Sequence, residues 1–390
     1  MRIHDQFSKI ELQQLLARSD AQAWLAVLTS WVLVALAFAL VALWPNPLTI
    51  LLALIVIGGR QLGFGALMHE CGHGSLFATK GLNSWVGKWL CAGPVMYRID
   101  DYMVRHLLHH RTVGTAEDPD LSRYQAYPVT RASLRRKLIR DLTGRTTMKF
   151  LRDLLKANAT IETEDGQRSL RLGRLFSRMR APIISNLVLF SILASLGQAP
   201  LYLLWVAAYF STYMLFSRIR NLAEHAAVPD LTDSDPLLNT RTTLASWWER
   251  LTFAPNSVNY HLEHHLLPAV PKYRLAKFHR ALRAKGLLDH ADIAPGYRAV
   301  LDRIITKQQA QAAQLDQAWC AKPECTQDCR SIIQLRAGQS CHSRQGSLSC
   351  VQSQAKVIIG KGSPDIQWCM PGWVPASPGM GPAFIFAKAN

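Results

Sequence analysis

Charged residues are scarce in this sequence, at 18% of 390 residues, whereas hydrophobic residues reach 49%. Four apolar runs contain no charged residue except Arg60, and they lie at residues 24–44, 48–68, 182–197 and 200–216. A helix needs about 20 apolar residues to cross a bilayer, a length that the first two runs have and the last two approach. The composition therefore excludes an ordinary soluble protein.

The connections between paired runs are too short for anything but turns. Residues 45–47 join the first pair, and residues 197–200 join the second. Antiparallel helices are the expected result, so the sequence predicts an all-α integral membrane protein with two transmembrane hairpins and a cytoplasmic helical cap. Residues 83–96 are too short to span and are predicted to form an interfacial or re-entrant helix.

The predicted organisation has three parts. Residues 1–23 form a cytoplasmic N-terminal segment, 24–315 the membrane domain, and 316–390 a tail. Six of the eight cysteines lie in this tail, but none forms a C-x-x-C pair, which argues against a zinc or rubredoxin-like site. We expect the tail to be disordered, because its Cys, Gln, Ser, Gly and Pro residues show no periodicity.

Acidic residues are too few to balance the basic ones, and the net charge is +17. Between Arg98 and Arg180 there are 18 Lys or Arg against 10 Asp or Glu, while the interhelical turns carry no charge. Because basic residues accumulate on the cytoplasmic side of spans, both termini and this middle segment are predicted to be cytoplasmic, in a bacterial inner membrane. The basic surface suits anionic lipid headgroups rather than nucleic acid.

Nine of the 13 histidines are clustered. They form three boxes and one single site: His69 and His73; His106, His109 and His110; His261, His264 and His265; and His225, which follows Asn221. Histidines three or four residues apart share a helix face, so each box is predicted to direct its imidazoles at a common point. The solitary His4, His279, His290 and His342 are interpreted as ordinary surface or hydrogen-bonded residues.

Each histidine cluster follows an even number of predicted spans, two or four. Every cluster is therefore predicted to lie on the same face of the membrane as the N-terminus. Imidazole nitrogen suits Fe, Zn, Cu or Ni, and a single zinc ion takes only four ligands. Eight or nine histidines therefore indicate a binuclear metal site.

Two other classes of protein remain open on the residues alone. The first box also matches H-E-x-x-H, in which Glu70 would be the general base of a membrane zinc protease. That interpretation leaves the second and third boxes unexplained. A histidine-lined metal transporter is disfavoured because the predicted spans contain no charged or histidine residue except Arg60.

The three boxes resemble those of the membrane fatty acid desaturase superfamily, whose pattern is H-x(3,4)-H followed by two H-x(2,3)-H-H boxes. Residues 221–225 also match an N-x-x-x-H element of its stearoyl-CoA branch. The residues flanking the third box, 258–260 and 266–268, resemble bacterial acyl-lipid desaturases. This resemblance implies two iron ions, with His225 as a ninth ligand and Asn221 acting through water.

The resemblance also implies an activity. Two ferrous ions would activate O2 and remove hydrogen from an acyl chain, which makes the chain an O2-dependent oxidoreductase that desaturates acyl lipids. A hydroxylase or ketolase of a lipid, alkane or carotenoid is the alternative on the same scaffold. The expected partners are a lipid or acyl-carrier substrate, membrane lipids and an electron donor such as a ferredoxin, rubredoxin or cytochrome b5-like protein. Glu224 is expected to accept a hydrogen bond beside the ligands.

Overall fold

A computed structural model of the chain describes residues 3–162 and 168–305. Its α-helices are α1 (Lys9–Leu16), α2 (Asp20–Leu43), α3 (Pro47–Gly72), α4 (Lys80–Val86), α5 (Ile99–Thr112), α6 (Arg131–Leu142), α7 (Arg145–Ala159), α8 (Leu172–Ser195), α9 (Tyr202–Phe210), α10 (Thr212–His225), α11 (Pro236–Asn239), α12 (Trp247–Leu251), α13 (His261–Leu266), α14 (Lys272–Ala284) and α15 (Tyr297–Arg303). Strands β1 (Thr160–Glu162) and β2 (Arg168–Leu170) pair antiparallel, and β3 (Arg241–Thr243) and β4 (Asp292–Ala294) pair parallel. The predicted tail lies outside the described residues.

Four helical stretches are long and apolar enough to cross a membrane, which confirms the prediction of an all-α membrane protein with four spans. They are Lys9–Leu43, Pro47–Gly72, Leu172–Ser195 and Ala199–His225. The last two are 24 and 27 residues long, longer than their apolar runs suggested. The difference arises because α8 begins in a basic stretch before the apolar run, and α10 continues beyond it to His225.

Helices α2 and α3 form a closely packed hairpin. The Asn46 side chain caps α3 by accepting hydrogen bonds from the backbone of Leu48 and Thr49 at 3.0 and 3.1 Å, and Pro47 occupies the first helical position. The second pair is arranged differently, because α9 and α10 pack mainly on α3 while α8 packs mainly on α7 and the segment after α4. A second hairpin therefore stays a prediction.

Arg60, the charged residue within the apolar run 48–68 of α3, is buried for a structural reason. Its Nη2 donates hydrogen bonds of 2.9 and 2.8 Å to the carbonyl oxygens of Arg250 and Leu251 at the end of α12. A helix C-terminus leaves carbonyls without partners and attracts a cation. Gly59 allows this approach, since a Cβ there would lie 2.1 Å from the Leu251 oxygen. Arg60 thus holds α12 against α3.

Residues 83–96, predicted to form one interfacial or re-entrant helix, are α-helical only as far as Val86. After α4 the chain forms a π-helical segment, Gly87–Ala92, and a 3-10 turn, Gly93–Val95. Side chains from the long helices satisfy its carbonyls: Trp31 Nε1 donates to Leu90 at 3.2 Å, and Ser185 Oγ donates to Trp89 at 2.9 Å. Irregular backbone at membrane depth requires such partners, because lipid offers none.

Candidate metal centre

All nine clustered histidines converge in two groups. Within each group the ligand nitrogens lie within 4.8 Å of one another. The five-histidine group contains His69, His73, His106, His110 and His264, and the four-histidine group contains His109, His225, His261 and His265. Four elements supply them: the end of α3, the last two turns of α5, the last residue of α10, and α13.

The second and third boxes each divide between the two groups, which corrects the prediction that each box serves one point. His106 and His110 belong to one group and His109 to the other. The third box mirrors this, with His261 and His265 together and His264 apart. An α-helix turns about 100° per residue. Viewed down the axis, a side chain four positions after the first histidine is therefore rotated about +40° from it, and one three positions after it about −60°. An H-x-x-H-H box therefore serves two neighbouring points.

Contacts at Nδ1, three of them hydrogen bonds and one a close approach of a carboxyl group, set the orientation of four of these rings. The Nδ1 atom of His225 lies 3.0 Å from the carbonyl oxygen of Asn239, and because a carbonyl only accepts, this nitrogen must carry the proton. Carboxylates occupy the same position in three others: Glu70 at 3.2 Å from His69, Asp118 at 2.8 Å from His109, and Glu224 at 3.2 Å from His261. A proton on Nδ1 leaves the Nε2 lone pair directed at the centre of the group.

These lone pairs face one another at distances that call for a cation. The Nε2 atoms of His225 and His261 are 3.0 Å apart, and because the proton of His225 is on Nδ1, its Nε2 can only accept. In the five-histidine group, His110 Nε2 lies 2.9 Å from the Nε2 of His264, while His69 Nε2 is buried without a hydrogen-bond partner. Orphaned buried acceptors are costly unless a ligand satisfies them. The donor set fits two metal ions.

Burial keeps the imidazoles neutral, as metal coordination requires. Removal from water disfavours the charged form and lowers the pKa of His110 to about 3, with neighbouring histidines adding to the effect. Desolvation is also the main cause that lowers the pKa of four other histidines well below the usual value: His106, His261, His264 and His265.

Residues 44–293, well over half of the chain, match the family model of the fatty acid desaturases. The chain belongs to the fatty acid desaturase family. It is also 29% identical over 254 residues to the Dihydrorhizobitoxine desaturase of Bradyrhizobium elkanii, covering 62% of this chain and 69% of that relative. The function of the protein is therefore of the desaturase type, and the protein is an oxidoreductase.

Two supporting residues of this desaturase carry no signal in the sequence. Asp118 lies in the loop after α5, where it accepts from His109 Nδ1 and from the hydroxyl of Tyr124. Burial raises its pKa, but these hydrogen bonds outweigh burial and leave the pKa below its usual value. Asn239, at the end of α11, contributes only its backbone carbonyl to His225. No residue type marks such a role, so only the folded backbone reveals it.

Glu224 lies where the sequence analysis expects it, beside a ligand. Its Oε1 is 3.2 Å from His261 Nδ1 and 2.5 Å from Arg220 Nε. Asn221 is half-buried and lines a cavity beside the histidine groups, which is described below. Its Oδ1 accepts a hydrogen bond from Arg220 Nη1 at 3.1 Å. Its predicted link to a metal through water stays a prediction.

Two of the solitary histidines, His279 and His290, do not join the two groups. His279 is buried, and its Nδ1 lies 2.5 Å from Glu263 Oε1, whose other oxygen accepts from Thr242 Oγ1 at 2.5 Å. This contact fixes α13 between β3 and α14. His290 is exposed, and His342 lies outside the described residues.

A cavity of about 710 Å³ adjoins both histidine groups. Apolar side chains of α3, among them Leu62, Ala66 and Met68, form one part of its wall. Charged side chains form another part, among them Arg98, Asp101, Arg105, Asp120, Arg123 and Lys149. The cavity is thus suited to a substrate with an apolar body and a polar end.

Proposed function

We propose that this desaturase introduces a double bond into the acyl chain of a membrane lipid, using O2 and a di-iron centre. The proposed iron ligands are His69, His73, His106, His109, His110, His225, His261, His264 and His265, with Asn221 acting through water. The observation that carries the proposal is the division of nine imidazoles, all buried or half-buried, into groups of five and four. Such numbers suit two metal ions and exceed what one zinc ion takes.

The surroundings of Glu70 argue against a zinc protease. A general base must present a free carboxylate oxygen to water. Glu70 Oε2 instead accepts from Ser75 Oγ at 3.2 Å and from the backbone N–H of Lys272 at 2.9 Å. Its other oxygen contacts His69 Nδ1 at 3.2 Å. Glu70 is therefore a positioning residue for His69.

The reaction balances with two electrons from a donor. An R–CH2–CH2–R′ segment, O2, two electrons and two protons give R–CH=CH–R′ and two waters. Two ferrous ions, held by the two histidine groups, would supply the reductive activation of O2 that this chemistry needs. The residues of the chain keep the ring nitrogens neutral by burial, while the Asn239 carbonyl and the Asp118 carboxylate accept the Nδ1 protons of His225 and His109.

The cavity wall supports an orientation for the substrate. We place the polar end of the lipid at the charged part of the wall, near Arg105 and Lys149, and the hydrocarbon along Leu62 and Ala66 of α3. The relative is named for desaturation of dihydrorhizobitoxine, so that compound belongs among the test substrates.

The proposed setting is a bacterial inner membrane, with both termini and the di-iron centre cytoplasmic. The basic excess between Arg98 and Arg180 supports this orientation, because basic segments near spans remain on the cytoplasmic side. We propose a ferredoxin, rubredoxin or cytochrome b5-like electron donor. An acidic carrier would be attracted to this basic surface.

Expression of the chain in bacteria, followed by gas chromatography of fatty acid methyl esters, tests the proposal. We expect new unsaturated acyl chains that require the chain and O2, and that disappear in the His110→Ala variant. New hydroxylated or keto lipids in their place would favour the hydroxylase or ketolase alternative. Unchanged lipids, with conversion of added dihydrorhizobitoxine, would refute acyl-chain specificity.

A further inference from the structure

A basic pocket and an apolar groove lie next to each other, apart from the histidine groups. The basic pocket, of about 270 Å³, lies between α5, α8 and the π-helical segment. Its charged lining residues are Lys88, Arg98, Asp100, Arg178 and Arg180. The apolar groove, of about 870 Å³, lies between α2, α8 and the same π-helical segment. Neither belongs to the cavity beside the histidines, although Arg98 and Tyr97 form a wall common to that cavity and the basic pocket.

The pocket and the groove follow one another along α8. Arg178, Arg180 and Ala181 line the pocket, and the next turns, from Ile184 to Leu196, line the groove. At 1.5 Å per residue, that stretch of groove is about 18 Å long. One leaflet of a bilayer has about 15 Å of hydrocarbon, half of the total core. The groove therefore has the length of a lipid acyl chain, with the basic pocket at its head.

Two of the cations in the pocket are available to a ligand. Arg178 is engaged, since its Nη2 donates to Asp101 at 2.9 and 3.1 Å, and Arg98 contacts the same carboxylate. Within residues 3–162 and 168–305, Lys88 and Arg180 form no hydrogen bond or ion pair. The Lys88 ammonium lies 5.3 Å from the ring of Trp89, an aromatic residue of the type found at headgroup level.

The groove is lined by apolar side chains except for Ser185 and, at its far end, Gln198, and it is open to the surroundings of the helices. Val188 and Leu196 are 51% and 67% exposed, and Phe38 and Trp31 form the opposite wall. Ser185, a polar residue in the groove, has its hydroxyl hydrogen-bonded to the Trp89 carbonyl at 2.9 Å. An apolar groove of this kind, within a span and below two unpaired cations, matches a hydrocarbon chain attached to an anionic headgroup.

We propose that this desaturase binds one anionic phospholipid, with its phosphate at Lys88 and Arg180 and an acyl chain in the apolar groove. The site is separate from the proposed function and does not depend on iron. The basic pocket and the cavity beside the histidines have Arg98 in their common wall, so the bound headgroup would lie beside Arg98. A lipid held there lies next to the cavity in which acyl chains would react.

Native mass spectrometry of the full chain, purified in detergent, tests the proposal. The probes are dioleoyl-phosphatidylglycerol, which is anionic, and dioleoyl-phosphatidylcholine, which is zwitterionic. We expect one phosphatidylglycerol per chain and a clear preference over phosphatidylcholine. Each basic residue near anionic lipid contributes about 1 kcal/mol, so Lys88→Ala with Arg180→Ala should reduce that preference about 30-fold.

A matched double variant controls for loss of charge. Arg135 and Arg136 are exposed on α6, outside the pocket, and their replacement by Ala should leave phosphatidylglycerol binding unchanged. Val188→Trp should fill the groove and release the lipid without changing the melting temperature. Equal binding of both lipids, or equal loss in the two double variants, would overturn the proposal. So would a dimer of the chain that Val188→Trp dissociates, since a second copy would then occupy the groove.

Discussion

Replacing Asp118 by Asn tests how far the metal ligands depend on their hydrogen-bond partners. The Asp118 carboxylate accepts from His109 Nδ1 at 2.8 Å, from the Tyr124 hydroxyl and from the backbone N–H of Asp120 at 2.8 Å. An amide has one accepting oxygen and a donating NH2 group, so it cannot satisfy both side chains. His109 would lose its anionic partner and the fixed position of its proton.

The expected effect follows from the role of such partners. Losing a hydrogen-bond partner of a metal-bound histidine typically weakens metal affinity or activity about 10- to 100-fold, which corresponds to about 1.4 to 2.8 kcal/mol. We expect Asp118→Asn to lower iron affinity by such a factor in a competition assay with a chelator. Because His109 belongs to the four-histidine group, one of the two irons should be lost before the other.

A matched control separates this effect from loss of a carboxylate. Asp302 is exposed on α15, and Asp302→Asn removes the same charge without touching a ligand. We expect its iron affinity to equal that of the wild type. Equal iron affinity in Asp118→Asn and the wild type would refute the reasoning, since the His109 contact would then have no influence on the metal.

Three further predictions concern the ligands, the buried cation and the topology. His225→Ala should lower the iron content and abolish product formation while the protein still inserts, and Asn221→Ala should lower the iron content less. Full iron content and normal turnover in His225→Ala would remove His225 from the ligand set. Arg60→Met leaves two carbonyls of α12 unpaired, so it should destabilise the protein by about 2 to 5 kcal/mol and lower its melting temperature, whereas an unchanged melting temperature would show that the two bonds contribute nothing. Reporter fusions near Asn46 and Gln198 should be exported and fusions near Gly166 cytoplasmic; an exported signal at Gly166 would contradict the proposed orientation.

Much of the site was predictable because its signals are local. Box spacing and apolar runs are both read within one helix, so the nine histidines and the four spans follow from the sequence. Even the long-range prediction that His225 joins the boxes came from a local pattern, Asn221 to His225. The structure places His225 in the four-histidine group, 3.0 Å from His261.

The rest depends on contacts between distant segments. Neither the carbonyl of Asn239 nor the hydrogen bond of Lys272 N–H to Glu70 has a sequence signature, because any residue carries those backbone groups. Arg60 interrupts an apolar run, and its reason lies 190 residues away in α12. Helix geometry predicts that the second and third boxes divide between two groups, but only once it is known that two metal positions lie side by side.

The number of iron ions per chain tests the central claim most directly. Protein purified from cells grown with 57Fe can be measured by elemental analysis and Mössbauer spectroscopy. We predict two irons per chain in two different nitrogen-rich environments, one for the group of five histidines and one for the group of four. One metal ion per chain, or stoichiometric zinc in place of iron, would contradict the account.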